Sequence, residues 1–323
     1  MSPRTTPPAV PRGGAARPRR AARARAATLR NQLMQSVFLP LRQDRTARLD
    51  YAAILDGHTV NLHARLPVSA GLPESAEVVL SRGRRTYTAE ATVYAGPDGE
   101  ALVDAVVLLG AEVGGAPAGP GRWRLRLRLR LRSGRRTRTV PLLLLAPPVP
   151  YEGPTRPMTA SSVTGERHRL GRSFRGSARV VSTGARPAAE VVKVHLTHAG
   201  ITVDFRLLGT RADQPWAEFV ASGRRLEQPV TGPAPGTLRV EVPLDRMPPR
   251  GKRPDHWDVV LCDAGGRRFR LGRRLHDVRN PLRVFAMRSL AITPPGLPPM
   301  IVQPRYTPAG NLRVTCTRMP EAG

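Results

Sequence analysis

Lysine, cysteine and aromatic residues are all scarce in this sequence, and each scarcity excludes something. Lys193 and Lys252 are the only lysines among 52 basic residues, so arginine carries almost all of the net charge of +28. The two cysteines, Cys262 and Cys316, are too few for a disulfide framework or a cysteine-based zinc site. No apolar run approaches the roughly 18 residues of a membrane span. We therefore expect a cytoplasmic protein.

Proline and glycine, by contrast, are abundant. The chain has 34 prolines and 30 glycines, and only 4% of its residues are aromatic, a composition that favours short strands and many turns. From about residue 48 onward, apolar and polar residues alternate with period two between turn residues, as they do in strands. A length of 323 residues suggests about two domains. The sequence therefore predicts an all-β fold.

One strand stands out, in the segment GRWRLRLRLRLRSGRRTRTV at 121–140. Alternation places Trp123 and the leucines on one face of the strand and the arginines on the other. The segment is either a cationic surface for a polyanion or an ordinary strand whose outer face is arginine. The candidate polyanion-binding residues are Arg122, Arg124, Arg126, Arg128, Arg130 and Arg132.

The chain repeats itself in order, which bears on that choice. ITVDFRLL at 201–208 matches HTVNLHARL at 58–66, AEFVASGRR at 217–225 matches AEVVLSRGRR at 76–85, TLRVEVPL at 237–244 matches EALVDAVVLL at 100–109, and HWDVVLCDAGGRRFRL at 256–271 matches 122–139. Trp257 corresponds to Trp123, whereas Asp258 stands where the first copy has Arg124. The shared inner face is structural, and each copy of about 100 residues predicts an immunoglobulin-like β-sandwich.

The predicted organisation has six parts. They are a disordered arginine-rich tail (1–28), a short amphipathic helix (29–45), a first sandwich (46–146), a linker (147–172), a second sandwich (173–287) and a C-terminal hairpin extension (288–323). The helix has an apolar stripe that suits either packing on the first sandwich behind an inert tail, which is the favoured interpretation, or the surface of an anionic membrane, with a peripheral location at the inner face of the plasma membrane. The stripe consists of Leu29, Leu33, Met34, Val37 and Phe38.

Motifs for catalysis are not visible in the sequence. The chain lacks a Walker loop and a G-x-S-x-G nucleophile motif, so no catalytic residue, metal site or cofactor is predicted. Trp216 and Tyr306 are candidate platforms for a sugar ring, with burial at a core edge as the alternative.

Several segments resemble a known family. GRW with alternating leucines, SGRRTRT, HWDVVLCDAGGRRFRLGRRL and the terminal QPRYTPAGNLRVTCT are similar to the repeated β-sandwich accessory modules of actinobacterial glycosyltransferases and CDP-glycerol glycerophosphotransferases of teichoic-acid assembly. The resemblance covers about residues 48–323. It implies accessory modules without the transferase domain, since no α/β nucleotide-binding pattern is visible.

Three functions are compatible with these features. The leading hypothesis is a non-catalytic protein that supports cell-envelope glycopolymer synthesis by binding the anionic polymer or its synthase. The first alternative is a nucleic-acid-binding protein that uses the arginine-rich surface, although neither an RNP motif nor a recognition helix is visible. The second alternative is a transferase of unrecognised type.

Overall fold

The computed structural model describes residues 29, 45–131, 137–145, 153 and 155–319. Within these ranges the regular structure is almost entirely β, in two sheets that follow each other along the chain. Short 3-10 turns occur at Val68–Ala70, Ala111–Val113 and Leu244–Arg246, and Pro281–Val284 form a single helical turn.

The first sheet has nine strands. Its order is β3-β4-β5-β2-β1-β7-β6-β9-β8, with β3 also paired to β6. The strands are β1 (Ala47–Ile54), β2 (Thr59–Arg65), β3 (Ser75–Arg82), β4 (Arg85–Ala95), β5 (Ala101–Leu108), β6 (Gly121–Arg130), β7 (Thr137–Leu143), β8 (Arg167–Arg172) and β9 (Ala178–Thr183).

The second sheet has ten strands and the equivalent order, β12-β13-β14-β11-β10-β16-β15-β19-β18-β17, with β12 also paired to β15. The strands are β10 (Ala188–Leu196), β11 (Ile201–Leu208), β12 (Trp216–Ala221), β13 (Arg224–Ala234), β14 (Thr237–Glu241), β15 (Asp255–Cys262), β16 (Arg268–Arg273), β17 (Leu290–Ile292), β18 (Met300–Tyr306) and β19 (Leu312–Arg318).

Both sheets close on themselves. Seven strands, β1 to β7, form a barrel-like ring in the first unit because β6 pairs with β3, and β10 to β16 do the same in the second unit. In each ring one pair is parallel, β1 with β7 and β10 with β16. The all-β prediction with two tandem units is therefore confirmed, but the immunoglobulin-like sandwich is not. Closure removes the free edges of the ring strands.

A hairpin extends each ring along its Trp-bearing strand. In the first unit β9 pairs with the beginning of β6, and in the second β19 pairs with the beginning of β15. The linker expected at 147–172 thus contains a strand, β8, and β9 pairs with the first sheet although 173–287 was expected to form the second unit. The period-two alternation of β8 is short and lies among proline, serine and threonine residues, which concealed it.

The inner face of β6 explains why this strand is central to the first unit. Trp123, Leu125, Leu127 and Leu129 are all buried in one apolar cluster. Trp257 and Leu261 of β15 are buried in the same way in the second cluster. Both tryptophans have no solvent-exposed surface, so their predicted burial as equivalents is confirmed.

The N-terminal predictions mostly lie outside the described residues. The tail at 1–28 and most of the helix expected at 29–45 are in that part of the chain. Leu29, the stripe residue that the structure describes, is helical and 61% exposed. Within the described ranges, no helix has the length and apolar character that crossing a bilayer requires.

Candidate functional site

The arginines of β6 lie on the outside of the first ring. We call Arg122, Arg124, Arg126, Arg128 and Arg130 the arginine face. Three of them are exposed, while Arg126 and Arg128 are half-buried. The alternation expected from the sequence is therefore present, with leucines inward and arginines outward. Arg132, the sixth predicted member, lies outside the described residues.

Little acidic charge balances this face. Arg128 Nη1 lies 3.1 Å from Glu77 Oε2 on the neighbouring strand β3, and both side chains are largely solvated. Within the described residues, the other four arginines of the face have no carboxylate partner. Like charges on one strand face repel each other, and solvent and salt reduce that repulsion without removing it. The face is therefore a strip of positive potential that attracts anions.

The closing hairpin adds further arginines. Arg179 of β9 is the cross-strand neighbour of Arg124, and Val181 of β9 lies between Arg122 and Arg169 of β8. Directly paired residues share a face of the sheet, so Arg169 and Arg179 continue the positive strip sideways. The basic surface is thus two-dimensional and spans three strands.

A cleft opens where two strands meet the same edge of β6. β9 pairs with β6 up to Arg124, and β7 pairs with it from Arg126 onward, so the edge forks at Leu125. The turn between β8 and β9, residues 173–177, lies beside this fork. We call the resulting space of about 350 Å³ the fork cleft. Its lining includes Arg124, Arg126, Arg175, Arg179 and Phe174.

Hydrogen bonds hold the turn beside the cleft. The backbone N–H of Ser173 donates to Ser177 O (2.8 Å), that of Gly176 donates to Ser173 O (3.0 Å), and that of Ser177 donates to Ser173 Oγ (3.0 Å). The turn is tied to β7 because Leu144 N–H donates to Gly176 O (2.9 Å). Phe174 at the tip is 70% exposed. The cleft wall is thus preorganised.

A second polar cluster superficially resembles a catalytic triad. His58 Nδ1 lies 3.4 Å from Ser161 Oγ, and His58 Nε2 lies 3.4 Å from Asp56 Oδ2. However, Ser161 is completely buried, and its Oγ accepts hydrogen bonds from the backbone N–H groups of Val163 and Thr164. A hydroxyl that caps a turn away from solvent is not available to attack a substrate.

An exposed cluster on β2, β4 and β5 is another candidate. Asp104 accepts a hydrogen bond from Tyr94 (2.9 Å) and lies 2.7 Å from His63 Nδ1. Burial acts to raise the pKa of Asp104, but the hydrogen bonds from His63 and Tyr94 bring it below its usual value. The equivalent cross-strand pair in the second unit is Asp204 with Arg239. Both units thus carry a polar cross-strand pair here, which indicates a sheet-stabilising role.

Asp204 of β11 is paired with both Arg239 and His195. Hydrogen bonds from Arg239, at 2.6 and 2.8 Å, lower its pKa from 3.8 to about 2, with a further contribution from His195 at 2.7 Å. In the described part of the chain, no three His, Cys, Asp or Glu side chains gather as a metal ion would require.

The predicted sugar platforms lie apart from the arginine face. Trp216 is in β12 and Tyr306 is in β18, both in the second unit, with β15 and β19 between them. Both rings are half-buried, and the guanidinium of Arg273 lies 5.8 Å from the centroid of the Tyr306 ring. Of the membrane-surface residues, Leu33, Met34, Val37 and Phe38 lie outside the described residues.

Phe174, Arg175 and Arg179 were not among the site residues predicted from the sequence. They belong to GRSFRGSARV at 171–180, which was divided between the linker and the second unit. A signal was nevertheless present, because this segment and PRYTPAGNLRV at 304–314 share the spacing G-x-x-R-V. Extending the repeat to its closing hairpin would have placed these residues beside β6.

Comparison with known proteins gives only distant likenesses. No protein-family profile matches the chain, and no curated protein matches it. Among solved structures, residues 217–571 of TarS from S. aureus, a teichoic-acid glycosyltransferase, align with a TM-score of 0.34 at 9% identity, over 62% of this chain and 55% of that one. A longer TarS structure gives 0.32 at 8%, over 70% and 39%.

A tetra-tandem repeat from the extending region of a large adhesion protein aligns with a TM-score of 0.21 at 13% identity, over 86% of this chain and 63% of that one. Of the two TarS structures, this chain covers 55% of the shorter one and 39% of the longer one. Likenesses of this degree do not assign the chain to a family or to a function.

Proposed function

We propose that this chain is a non-catalytic binding protein that holds an anionic glycopolymer of the teichoic-acid type on the arginine face of its first unit. The observation that carries the proposal is the uncompensated strip on β6, where, within the described residues, Arg128 alone of the five has a carboxylate partner. Guanidinium groups form two parallel hydrogen bonds with phosphate oxygens and remain charged at any physiological pH, so such a strip suits a phosphate-bearing chain.

The geometry of the strip suits a linear ligand. Alternate residues of an extended strand are about 6.8 Å apart, so the arginines form a regular row along the ring. A polymer with one phosphate per short polyol unit presents its charges at a comparable repeat. Each arginine then contacts one phosphate, and affinity accumulates along the row as it does in multivalent binding.

The accessory role is the finer part of this proposal. The resemblance of the β-strand segments to modules of teichoic-acid and related transferases supports a place beside a polymer synthase, at the cytoplasmic face of the membrane. The closed rings supply the rigid support such a surface needs, because strand-mounted side chains are held more firmly than those on loops. The proposal includes a relationship of the two β units to immunoglobulin-like sandwiches.

Binding to polyglycerol phosphate tests the proposal. Replacing Arg124, Arg126 and Arg128 together with serine should weaken binding at least tenfold while leaving the thermal unfolding transition in place, because these side chains point away from the core. The matched control replaces Arg250, Lys252 and Arg253 with serine, which removes the same charge from an exposed loop of the second unit. That control should bind almost as the unmodified chain does.

Two results would contradict the proposal. Equal weakening in both triple variants would mean that the polymer responds to net charge and not to the arginine face. Tighter binding to DNA of arbitrary sequence than to polyglycerol phosphate, with a steep salt dependence, would instead support the nucleic-acid alternative.

A further inference from the structure

We infer that the fork cleft is a discrete subsite for a single phosphate group, and that the second unit has lost or never acquired its counterpart. The inference rests on the proposed function in that the phosphate is taken to belong to the polymer. The cleft combines Arg124 and Arg126 of that row with three side chains outside it, Phe174, Arg175 and Arg179.

The two units have equivalent strand orders, so each residue of the cleft can be compared with the residue at the same position in the second unit. Trp123 faces Val180 across β6 and β9, and Trp257 faces Val314 across β15 and β19. One residue further along, the first unit places Arg124 opposite Arg179. The second unit places Asp258 opposite Arg313, with the Arg313 Nε 2.7 Å from Asp258 Oδ1.

In the second unit, therefore, the arginine at this position is paired with a carboxylate of the protein itself. In the first unit an arginine occupies the place of that carboxylate, so that Arg124 is directly paired with Arg179 across the two strands, and both line the cleft. Neither has a carboxylate partner among the described residues. Two directly paired cations in one cleft indicate an anion from outside the protein.

The turn beside the cleft has the same hydrogen bonds in both units, but only the turn of the first unit carries an arginine. Residues 307–311 in the second unit repeat the hydrogen bonds of 173–177: the N–H of Thr307 donates to Asn311 O (2.9 Å) and that of Gly310 donates to Thr307 O (2.8 Å). The backbone is thus the same in both units. Its two central residues are Phe174 and Arg175 in the first unit and Pro308 and Ala309 in the second.

The lining of the cleft makes the ligand a phosphate. Four arginines, Arg124, Arg126, Arg175 and Arg179, line it, and no carboxylate does in the part that the structure describes. The second unit has Val260 in place of Arg126 and Arg270 in place of Pro141, and Arg273 stands where the first unit has Leu144. Several arginines converging on one cleft match the several oxygens of a tetrahedral anion.

Phe174 completes the subsite. Its ring is exposed at the edge of the cleft, although an isolated exposed phenylalanine gains nothing from contact with water. An apolar face beside a phosphate-binding cleft suits the carbon chain of a polyol or the face of a sugar attached to that phosphate. The predicted ligand is therefore a phosphate ester of a polyol, recognised by its charge and by its adjoining carbons.

Titration calorimetry of the full chain with inorganic phosphate, glycerol 3-phosphate and glycerol tests this subsite. The unmodified protein should bind glycerol 3-phosphate more tightly than inorganic phosphate, and glycerol not at all. R124D should weaken binding of both phosphates at least tenfold while the fold is retained, because it recreates the ion pair seen between Asp258 and Arg313. R253D, the same charge change on an exposed loop of the second unit, should alter it less than twofold.

The outcomes separate this inference from the proposed function. Equal loss of phosphate binding in R124D and R253D, or no phosphate binding by the unmodified chain, would overturn the subsite even if polyglycerol phosphate still binds. Binding of glycerol 3-phosphate that R124D abolishes, without any binding of polyglycerol phosphate, would support the subsite and contradict the polymer function. F174A should lower the affinity for glycerol 3-phosphate and leave that for inorganic phosphate unchanged; an equal loss for both would remove Phe174 from the subsite.

Discussion

Trp123 and Trp257 are each held by an arginine from a neighbouring hairpin. The guanidinium of Arg82 lies 5.9 Å from the Trp123 ring centroid, and that of Arg224 lies 4.5 Å from the Trp257 ring centroid. Arg82 is the last residue of β3, whereas Arg224 is the first residue of β13. The cation therefore comes from the strand before the turn in the first unit and from the strand after the equivalent turn in the second. Arg224 also donates to Pro248 O at 3.1 Å. The stacked arginine thus ties the preceding loop to the Trp-bearing strand.

His168 of β8 makes stability depend on pH. Burial, together with the nearby charge of His58, lowers the pKa of His168 from 6.5 to about 4. The unfolded chain therefore binds a proton at a higher pH than the folded chain does. The contribution of His168 to the free energy of unfolding should be constant above pH 6.5 and should fall as the pH drops from 6.5 to about 4, by on the order of 3 kcal/mol over that window.

Urea unfolding at a series of pH values measures this effect. H168Q cannot titrate and keeps a polar group near Ser182, so its free energy of unfolding should fall less steeply in the same window. The substitution itself should lower stability at neutral pH, because His168 Nδ1 lies 2.9 Å from Ser182 Oγ in a buried setting. The same pH slope in both proteins would show that another group is responsible.

At the scale of single residues, the direction of a side chain could be predicted from the sequence where period-two alternation alone determines it. The burial of Trp123 and the outward direction of Arg124 follow from the pleat alone. The opposition of Arg124 and Arg179 could not be derived in that way. It depends on which strand pairs with the first half of β6, and pairing between distant strands leaves no local signal.

At the element scale, the hairpin of β8 and β9 is what turns a strip of arginines into a cleft. β6 is the only strand of the first ring, among those described, whose one edge is shared by two partners, β9 and β7. The four repeated segments led to the correct equivalences for the ring, because β2, β3, β5 and β6 correspond to β11, β12, β14 and β15. The repeat was not extended to the closing hairpins, and the cleft was therefore not anticipated.

The turn at 173–177 should accept the residues of its counterpart without loss of stability. Phe174 and Pro308 each follow the first residue of a turn closed by an N–H···O bond, where proline's fixed φ is favoured. The double variant F174P and R175A should therefore unfold within about 1 kcal/mol of the unmodified protein, with any shift towards greater stability. Thermal unfolding measures this directly.

The reciprocal variant is the control for this turn. P308F and A309R in the second unit use the same backbone, so it should fold equally well. Strong destabilisation of the first variant with tolerance of the second would mean that Phe174 packs on a surface of the first unit and does not serve a ligand.

At the scale of the whole molecule, the two units have the same frame and different surfaces. Closure of each ring satisfies the backbone of its seven strands, so side chains on the outside are free to vary without cost to the core. In the second unit the outer positions of β15 include Asp258, which is paired with Arg313, and in the first unit the equivalent positions are arginines. The same strand position is therefore an internal ion pair in the second unit and a pair of arginines in the first.

The first 45 residues lie mostly outside the described part of the chain, and the membrane contact expected of them stays a prediction. Seven arginines and no acidic residue precede the apolar stripe that begins at Leu29. Each basic residue near an anionic surface contributes about 1 kcal/mol, and an apolar stripe of this length lies in the headgroup region without spanning the bilayer. We expect the segment to hold the arginine face of the first unit close to the membrane surface.

Flotation with vesicles that contain anionic lipid measures this contact. The full chain should float at low salt and be released as salt rises, because the attraction is electrostatic and is screened by ions. A shortened chain that begins at Thr46 should stay with the unbound fraction at every salt concentration.

If both chains float equally, the membrane contact lies on the arginine face, and R124D and R130D should then reduce flotation of the shortened chain. If neither chain floats, the N-terminal segment does not anchor the protein, and the arginine face acts on polymer away from the bilayer.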